Sequence, residues 1–547
     1  MTDISRRRLL QGSGAVMAGL ALEGCSGTSA STQPKRPNIV VILADDMGYS
    51  DLSCFGSEIP TPHIDSIGHG GRTFTQMTNN PMCCPSRAAL LTGLYPTQTG
   101  VGYYTKNYGS PGYQGYLNGN CATIAEVLKQ TGYRTAISGK WHVSGWHQKQ
   151  SLPPARGFDE AFCEVGGNGY FTTERFLNGK MIGVSPKRNF YMTDAITGYA
   201  INRIQEFAKG PDPFFLYCAY TAPHWPLQAP ADAIVPFHGH YKQGWTSTRE
   251  KRYERLKQLG ITDPRWQLSP PPVGVEPWDT AAAKDWEAAR MEVYAAQVSV
   301  MDQGIGKILD TIKQQGLEQD TLVLYLSDNG ASAEGIPQHE KQSVPTDNGK
   351  PMRSGNTPAV FPGASDTFSS YGEDWANVSA TPFRRYKRWV EEGGICTPFL
   401  ASWPGTLPSG GVDNRPLHVM DFMPTMVELA GATYPTTRQG SEVYPMEGES
   451  FANVLTNASN AADWDHNRRL FWEFEGHRAA RQDGWKIVSD VPSGPFELYD
   501  MVEDRTETHN VAAQHPDIVK TLGTAWEDWK ARVGVRTWRG LALNYHP

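Results

Sequence analysis

The stretch Asn38-Ile39-Val40-Val41-Ile42-Leu43-Ala44 is almost wholly apolar and runs straight into Asp45-Asp46-Met47-Gly48. A strand with one face in water alternates apolar and polar residues. An unbroken apolar run is what a strand covered on both faces requires. Thr321-Leu322-Val323-Leu324-Tyr325-Leu326-Ser327 repeats the plan and ends on Asp328-Asn329-Gly330. Two further runs behave alike: residues 133–138 lead into Gly139-Lys140-Trp141-His142, and residues 213–220 lead towards Ala222-Pro223-His224-Trp225-Pro226. Helical patterns lie between them, over Thr123–Thr131, Thr193–Lys209 and about Trp286–Gln315. Strands alternating with helices predict an α/β fold, a large mostly parallel sheet with helices on both faces. Ligands of such sheets bind beyond the carboxyl ends of the strands. All four runs deliver their polar groups there.

The same alternation assigns residues 37–432 of this 547-residue chain to one large α/β domain. After Gly431 the pattern changes. Leu470–Phe474, Arg478–Arg481, Trp485–Val488 and Glu497–Asp500 read as short antiparallel strands, with a helix over about Asp517–Val533. Residues 433–547 are therefore expected to form a small C-terminal α+β subdomain with an antiparallel sheet. At the other end, Ser5-Arg6-Arg7-Arg8 precedes a short apolar stretch over residues 14–22, an export signal of twin-arginine character spanning residues 1–24. Leu22-Glu23-Gly24-Cys25 resembles a lipobox, which would place a lipid anchor on Cys25, with residues 25–36 as a flexible tether. The expected destination is the periplasm, by way of the export machinery. The formal charge of −7, with both signs interspersed, speaks against nucleic acid as a partner. Eight cysteines in so long a chain make no disulfide framework, the chain carries no internal repeat, and its oligomeric state is left open.

Asp45, Asp46, Asp328 and Asn329 offer carboxylate and amide oxygens without a compact set of thiolates or histidines. That donor set suits a hard divalent cation, Ca²⁺ or Mg²⁺, over zinc. Gly48 and Gly330 beside them suggest tight turns that bring adjacent side chains onto one ion.

The segment Cys83-Cys84-Pro85-Ser86-Arg87-Ala88-Ala89-Leu90-Leu91-Thr92-Gly93 reads as the start of a helix, with Pro85 tolerated in its first turn. Cys83 would lie at the positive end of that helix, where an anion is stabilised, and Arg87 would return over the same face. Read locally, Cys83 is either such a site or a buried structural cysteine.

The segment also matches, without a gap, the Cys-x-Pro-Ser-Arg signature of the type I, formylglycine-dependent sulfatases of the alkaline phosphatase superfamily, including the Thr-Gly that closes it. The resemblance continues through Asp45-Asp46-Met47-Gly48, Gly139-Lys140-Trp141-His142, Ala222-Pro223-His224, Ser327-Asp328-Asn329-Gly330 and Tyr386-Lys387, and spans roughly residues 37–510. It is nearest in look to bacterial arylsulfatases. The resemblance implies that a maturation enzyme oxidises Cys83 to Cα-formylglycine, whose hydrate is the nucleophile. It implies Ca²⁺ held by Asp45, Asp46, Asp328, Asn329 and modified residue 83. Arg87, Lys140 and Lys387 would hold the sulfate of a sulfate-ester substrate. His224 would protonate the leaving alcohol and His142 would act as base in releasing sulfate. Ser86 is expected to serve maturation and structure, Cys84 to be incidental, and His63 and His477 to be structural or substrate-rim residues.

Two rivals share these residues. A phosphate or phosphonate monoester hydrolase could use the same aldehyde, and a chain whose Cys83 is never oxidised could merely bind sulfated glycans. The long insertions Ala231–Trp278 and Ala331–Thr381 are candidate pocket walls, with Gly355-Asn356 and Pro362-Gly363 nominated for the rim.

Overall fold

A computed structural model of the chain describes residues 36–164, 169–183, 190–339, 345–456, 467–491 and 494–538. The export signal, Cys25 and the tether up to residue 35 lie outside the described residues. Thirteen strands position the site: β1 (Asn38–Ala44), β2 (Arg72–Thr78), β3 (Arg134–Lys140), β4 (Glu160–Glu164), β5 (Arg175–Leu177), β6 (Lys180–Gly183), β7 (Phe214–Ala219), β8 (Thr321–Ser327), β9 (Arg353–Ser354), β10 (Thr367–Phe368), β11 (Cys396–Ser402), β12 (Gly411–Asp413) and β13 (Leu417–His418). The central sheet runs β12-β2-β11-β8-β1-β7-β3-β4-β5-β6, with β13 also paired to β2, and β9 and β10 form a separate pair.

β1 is the axis. It pairs in parallel with β7 on one side and β8 on the other, Val41 lying opposite both Tyr217 and Leu324. Ile39, Val41 and Leu43 enter one core and Val40, Ile42 and Ala44 the other. All six are fully buried, and each large aliphatic side chain contributes about 1.5–3 kcal/mol by leaving water. A slip of one residue would exchange the two faces and move Asp45 and Asp46 away from Lys140 and Lys387 at the strand end. The helices Met192–Phe207 and Lys284–Gln314 share the core of Val40 and Ile42. The helices Cys83–Thr92, Ile124–Lys129 and Phe422–Leu429 share that of Ile39 and Val41. The mostly parallel sheet with helices on both faces is thus observed.

β11 runs antiparallel between β2 and β8. Its register shifts between Thr397 and Phe399, across Pro398, which has no N–H to give to the ladder. Because β11 is reversed, the loop entering it reaches the same edge as the carboxyl ends of β1, β3 and β8, and that loop carries Lys387.

The C-terminal strands Arg469–Phe474, His477–Gln482, Trp485–Ser489 and Glu497–Asp500 form a four-stranded antiparallel sheet, followed by the helix Pro516–Val533. This sheet grips the turn before Cys83, since Trp472 Nε1 donates to the Asn79 carbonyl at 2.8 Å. It is also locked by buried charge. Lys486 Nζ lies 2.9 Å from Glu392 and 2.8 Å from Glu507, and Arg505 Nε donates to Glu392 at 3.0 Å. Burial alone would raise the Glu392 carboxyl, but Lys486 and Arg505 hold it at about 2, against an ordinary value of 4.5. Stability from this group is complete above pH 4.5 and is lost as pH falls towards 2. Glu392→Ala, which leaves Lys486 and Arg505 short of a buried partner, is expected to cost about 3–5 kcal/mol at pH 7 and less at pH 3. Urea unfolding at the two pH values measures this, and an equal loss at both would contradict it.

Candidate active site

β1 ends on Asp45 and Asp46, β3 on Lys140, β8 on Asp328 and Asn329, and all five side chains are buried at one edge. The helix Cys83–Thr92 starts there too. Met82 is extended at its N-cap, and Pro85 sits in the first turn, where an N–H has no intrahelical partner. Ser86 Oγ donates to the Asn80 carbonyl at 2.8 Å, tying the turn to the helix, as its expected structural role requires. Gly93, at φ 71°, ends the helix, and a Cβ there would lie 2.7 Å from Met423 Cβ.

Gly48 and Gly330 act differently from the turn residues expected. Neither takes a positive φ. Each instead admits a neighbouring backbone, because a Cβ on Gly48 would meet the Ser379 carbonyl oxygen at 2.4 Å and one on Gly330 the Gly393 oxygen at 2.0 Å. The left-handed residues at this edge are Asp46 (φ 61°) and His142 (φ 51°), strain of the kind that concentrates at functional sites.

Opposite charges interleave throughout the cluster. Arg87 is fully buried and forks onto Asp328 Oδ2 with Nε at 2.8 Å and Nη2 at 2.7 Å, while Nη1 donates to the Lys140 carbonyl at 3.1 Å. Lys140 Nζ donates to Asp45 Oδ2. Lys387 Nζ lies 2.8 Å from Asp46 Oδ2. His224 Nε2 is 3.3 Å from that same oxygen, and its Nδ1 pairs with the Trp225 carbonyl at 2.5 Å. Asn329 Nδ2 donates to Asp46 Oδ1 at 2.7 Å. Ligand atoms of Asp45, Asp328 and Cys83 lie within 4.8 Å of one another, as do those of Cys83, Cys84 and His142. Burial would raise the Asp45 carboxyl, but Lys140, His224 and Arg87 hold it at about 2. Burial prevails at Asp46 and Asp328, whose carboxyls are pushed up. The Cys83 thiol is brought down by its hydrogen bond with Cys84 and by Lys140 and His142.

Every nominated residue therefore meets at this edge. Three findings go beyond the sequence reading. Cys84, read as incidental, has its Sγ 3.2 Å from His142 Nε2. Glu334, absent from that reading, accepts Lys387 Nζ at 2.9 Å and Trp225 Nε1 at 2.9 Å. Tyr170, likewise unflagged, anchors the His224 loop, with Oη 2.7 Å from the His224 carbonyl and 3.0 Å from that of Thr221. No local motif marks an acid in a Gly/Ser/Pro-rich loop or a lone tyrosine. The rim nominees are knit to the same region. Asn356 brackets Ser370 with two 2.9 Å bonds, and Gly363 exchanges backbone bonds with Leu227 and Ala229 just after His224. His63 packs against Gly306, and His477 lies against Trp389 with ring centroids 4.2 Å apart.

Carboxylates and fixed cations converge on a helix-start cysteine at the edge of a parallel sheet, a site suited to an anionic ligand. Residues 37–432 match the model of the Sulfatase family, and the chain belongs to that family. Residues 384–531 match the C-terminal region of N-sulphoglucosamine sulphohydrolase. An uncharacterised sulfatase of Schizosaccharomyces pombe is 33% identical over 540 residues, 92% of this chain and 95% of that one. An arylsulfatase of Klebsiella aerogenes is 35% identical over 456 residues, 78% of this chain and 94% of its own. The crystal structure of Ps i-CgsB in complex with k-i-k-neocarrahexaose shares the fold, with TM-score 0.64, 24% identity and coverage of 90% and 92%. The chain is a sulfuric ester hydrolase.

Gly139 tests how the site is held. At φ 115° a Cβ would fall 1.8 Å from the Ala219 carbonyl oxygen on β7. Gly139→Ala is expected to destabilise the fold by more than about 1 kcal/mol and, by moving Lys140, to slow hydrolysis of an aryl sulfate. A variant matching wild type in both thermal midpoint and turnover would contradict this placement.

Proposed function

We propose that the protein is an exported, Ca²⁺-dependent sulfatase that cleaves sulfate monoesters through formylglycine formed from Cys83. The observation that carries the proposal is the convergence of the Cys83, Asp45 and Asp328 ligand atoms within 4.8 Å, beside the cations Arg87, Lys140 and Lys387. In the mature enzyme an aldehyde hydrate would take the place of the Cys83 thiol. That hydrate supplies an oxygen nucleophile and a second hydroxyl whose collapse frees sulfate, which a thiol lacks.

The donor set fits a hard cation. Asp45 Oδ1 and Asn329 Oδ1 are buried without a hydrogen-bond partner, a cost that an oxygen-coordinated ion would remove. Asp45, Asp46, Asp328, Asn329 and modified residue 83 would hold Ca²⁺, which polarises sulfate oxygens when bound. The remaining work falls to side chains of the chain. Arg87, Lys140 and Lys387, fixed by their carboxylates, stabilise charge that grows on the sulfate in the transition state without reorganising. His224, with Nδ1 committed to the Trp225 carbonyl, carries at Nε2 the proton for the leaving oxygen. His142, whose Nε2 faces the Cys83–Cys84 pair, takes the hydroxyl proton that accompanies sulfate release.

The relatives suggest the substrate range. One is named an arylsulfatase, and a structural neighbour is in complex with k-i-k-neocarrahexaose. We assign this chain to aryl or carbohydrate sulfates met outside the cytoplasm, after maturation by a formylglycine-generating or anaerobic maturation enzyme and export to the periplasm with lipid attachment at Cys25.

Two outcomes test these assignments. Cys83→Ala is expected to abolish hydrolysis of 4-nitrophenyl sulfate while leaving the unfolding midpoint near that of wild type. Retained turnover, or faster wild-type cleavage of 4-nitrophenyl phosphate than of the sulfate, would contradict the reading. Ca²⁺ at a hundredfold excess over its Kd should stabilise the chain by about 2.7 kcal/mol. Asn329→Ala should erase most of that shift in a thermal melt, and a shift unaltered by Asn329→Ala would remove these residues from the ion.

A further inference from the structure

We propose that Glu334 is a positioning residue for hydrolysis, using one carboxylate oxygen to couple the sulfate-side lysine, Lys387, to the arm that carries the proton donor, His224. The inference rests on the roles assigned above to those two residues.

Glu334 lies in the long loop between β8 and β9. Its Oε2 accepts Lys387 Nζ at 2.9 Å, Trp225 Nε1 at 2.9 Å and Ser332 Oγ at 3.1 Å. From each of the first two partners a short path leads to the same atom. Lys387 Nζ goes on to Asp46 Oδ2 at 2.8 Å. Trp225 holds His224 through its carbonyl at 2.5 Å and packs against the imidazole with ring centroids 4.6 Å apart, and His224 Nε2 lies 3.3 Å from Asp46 Oδ2. The five residues Glu334, Trp225, His224, Asp46 and Lys387 close a ring. Glu334 is its outermost acid, 23% exposed at the side chain against 2% for Asp46.

The ring has a consequence for each arm. An ammonium has three N–H donors. With Asp46 and Glu334 taking two of Lys387's, the third has a defined direction in which to meet a sulfate oxygen. On the other arm, an indole pinned at Nε1 fixes the carbonyl that receives His224 Nδ1, and so fixes where Nε2 delivers a proton. The loop backbone is set as well, because the Glu334 carbonyl accepts Ser370 Oγ and Asn356 holds Ser370. Burial would raise the Glu334 carboxyl, but Lys387 and His224 keep it at about 2, so it remains an anion throughout the working range.

The two arms differ in what they do for different substrates. Sulfate binding is common to every ester, whereas proton donation matters most when the departing alcohol is basic. Removing the Trp225 contact should therefore act selectively, and removing Glu334 should act in both ways. The test uses full-length, matured enzyme and its Trp225→Phe and Glu334→Gln variants. It compares kcat and KM on 4-nitrophenyl sulfate, a good leaving group, and on an alkyl or sugar sulfate, a poor one. For Trp225→Phe we expect kcat on the poor leaving group to fall about tenfold or more, while kcat on 4-nitrophenyl sulfate stays within about threefold. For Glu334→Gln we expect the same selective loss together with a rise in KM shared by both substrates. The double variant should lose little selectivity beyond Glu334→Gln alone, because both changes cut one connection.

A merely structural role would lower the thermal midpoint and depress both substrates alike. Uniform losses, or none, in both variants overturn the proposal. Should Glu334→Gln fail to fold, Trp225→Phe decides by its leaving-group selectivity. Absence of turnover by the wild-type enzyme overturns the catalytic reading and this proposal with it, whereas turnover with uniform losses overturns this proposal alone.

Discussion

The Arg87 guanidinium forks onto Asp328 with no access to water on either side. Burying two charges is costly unless geometry and further hydrogen bonds compensate, and here the compensation is shared around an entire cluster. Lys140 pairs with Asp45, Lys387 with Asp46, and Arg87 with both Asp328 and the Lys140 carbonyl. The helix behind Cys83 is thereby tied to β8, β8 to β1 through their shared register, and β1 to β3. A shift in any of these elements would strand a buried charge. The site is rigid because its own electrostatics make displacement expensive.

The rigidity suits an enzyme that must stabilise a transient rearrangement of charge. Cations already bound to carboxylates need not reorganise as negative charge spreads over sulfate oxygens. It also accounts for an acidic protein that handles an anion. The formal charge of −7 describes the chain as a whole, whereas the proposed sulfate position lies beside the buried cations Arg87, Lys140 and Lys387. The C-terminal sheet belongs to the same construction, since Trp472 holds the Asn79 carbonyl in the turn that launches the Cys83 helix. Its lock on the rest is the buried Lys486–Glu392–Arg505 group.

β1 and β8 could be read to the residue because both faces are buried and the apolar run stops where the fold stops. β3 extended two residues further than its apolar run, through Gly139 and Lys140, because its end is lined with charge. β11 left no such trace. It contains Pro398 and gains its place between β2 and β8 from tertiary pairing. The residues that meet at this edge were legible because the Cys83–Gly93 segment and the strand-end acids form contiguous motifs. Cys84, Tyr170 and Glu334 were not, because what they do is set by contacts across 51 to 109 positions of sequence, from Cys84 to His142, Tyr170 to Thr221 and Glu334 to Trp225. Gly48 and Gly330 were correctly singled out for the wrong reason. Close backbone approach, invisible in one dimension, is what demands them.

The central claim is that position 83 is an aldehyde in the working enzyme. Mass spectrometry of the peptide spanning residues 83–93, from catalytically active protein made in its native host, tests it most directly. The account predicts a peptide in which the residue 83 CH2–SH has become CH=O, sulfur exchanged for oxygen with the loss of two hydrogens, reactive towards a hydrazide, with Cys84 still a free thiol. Active protein carrying only an unmodified thiol at Cys83 would contradict it.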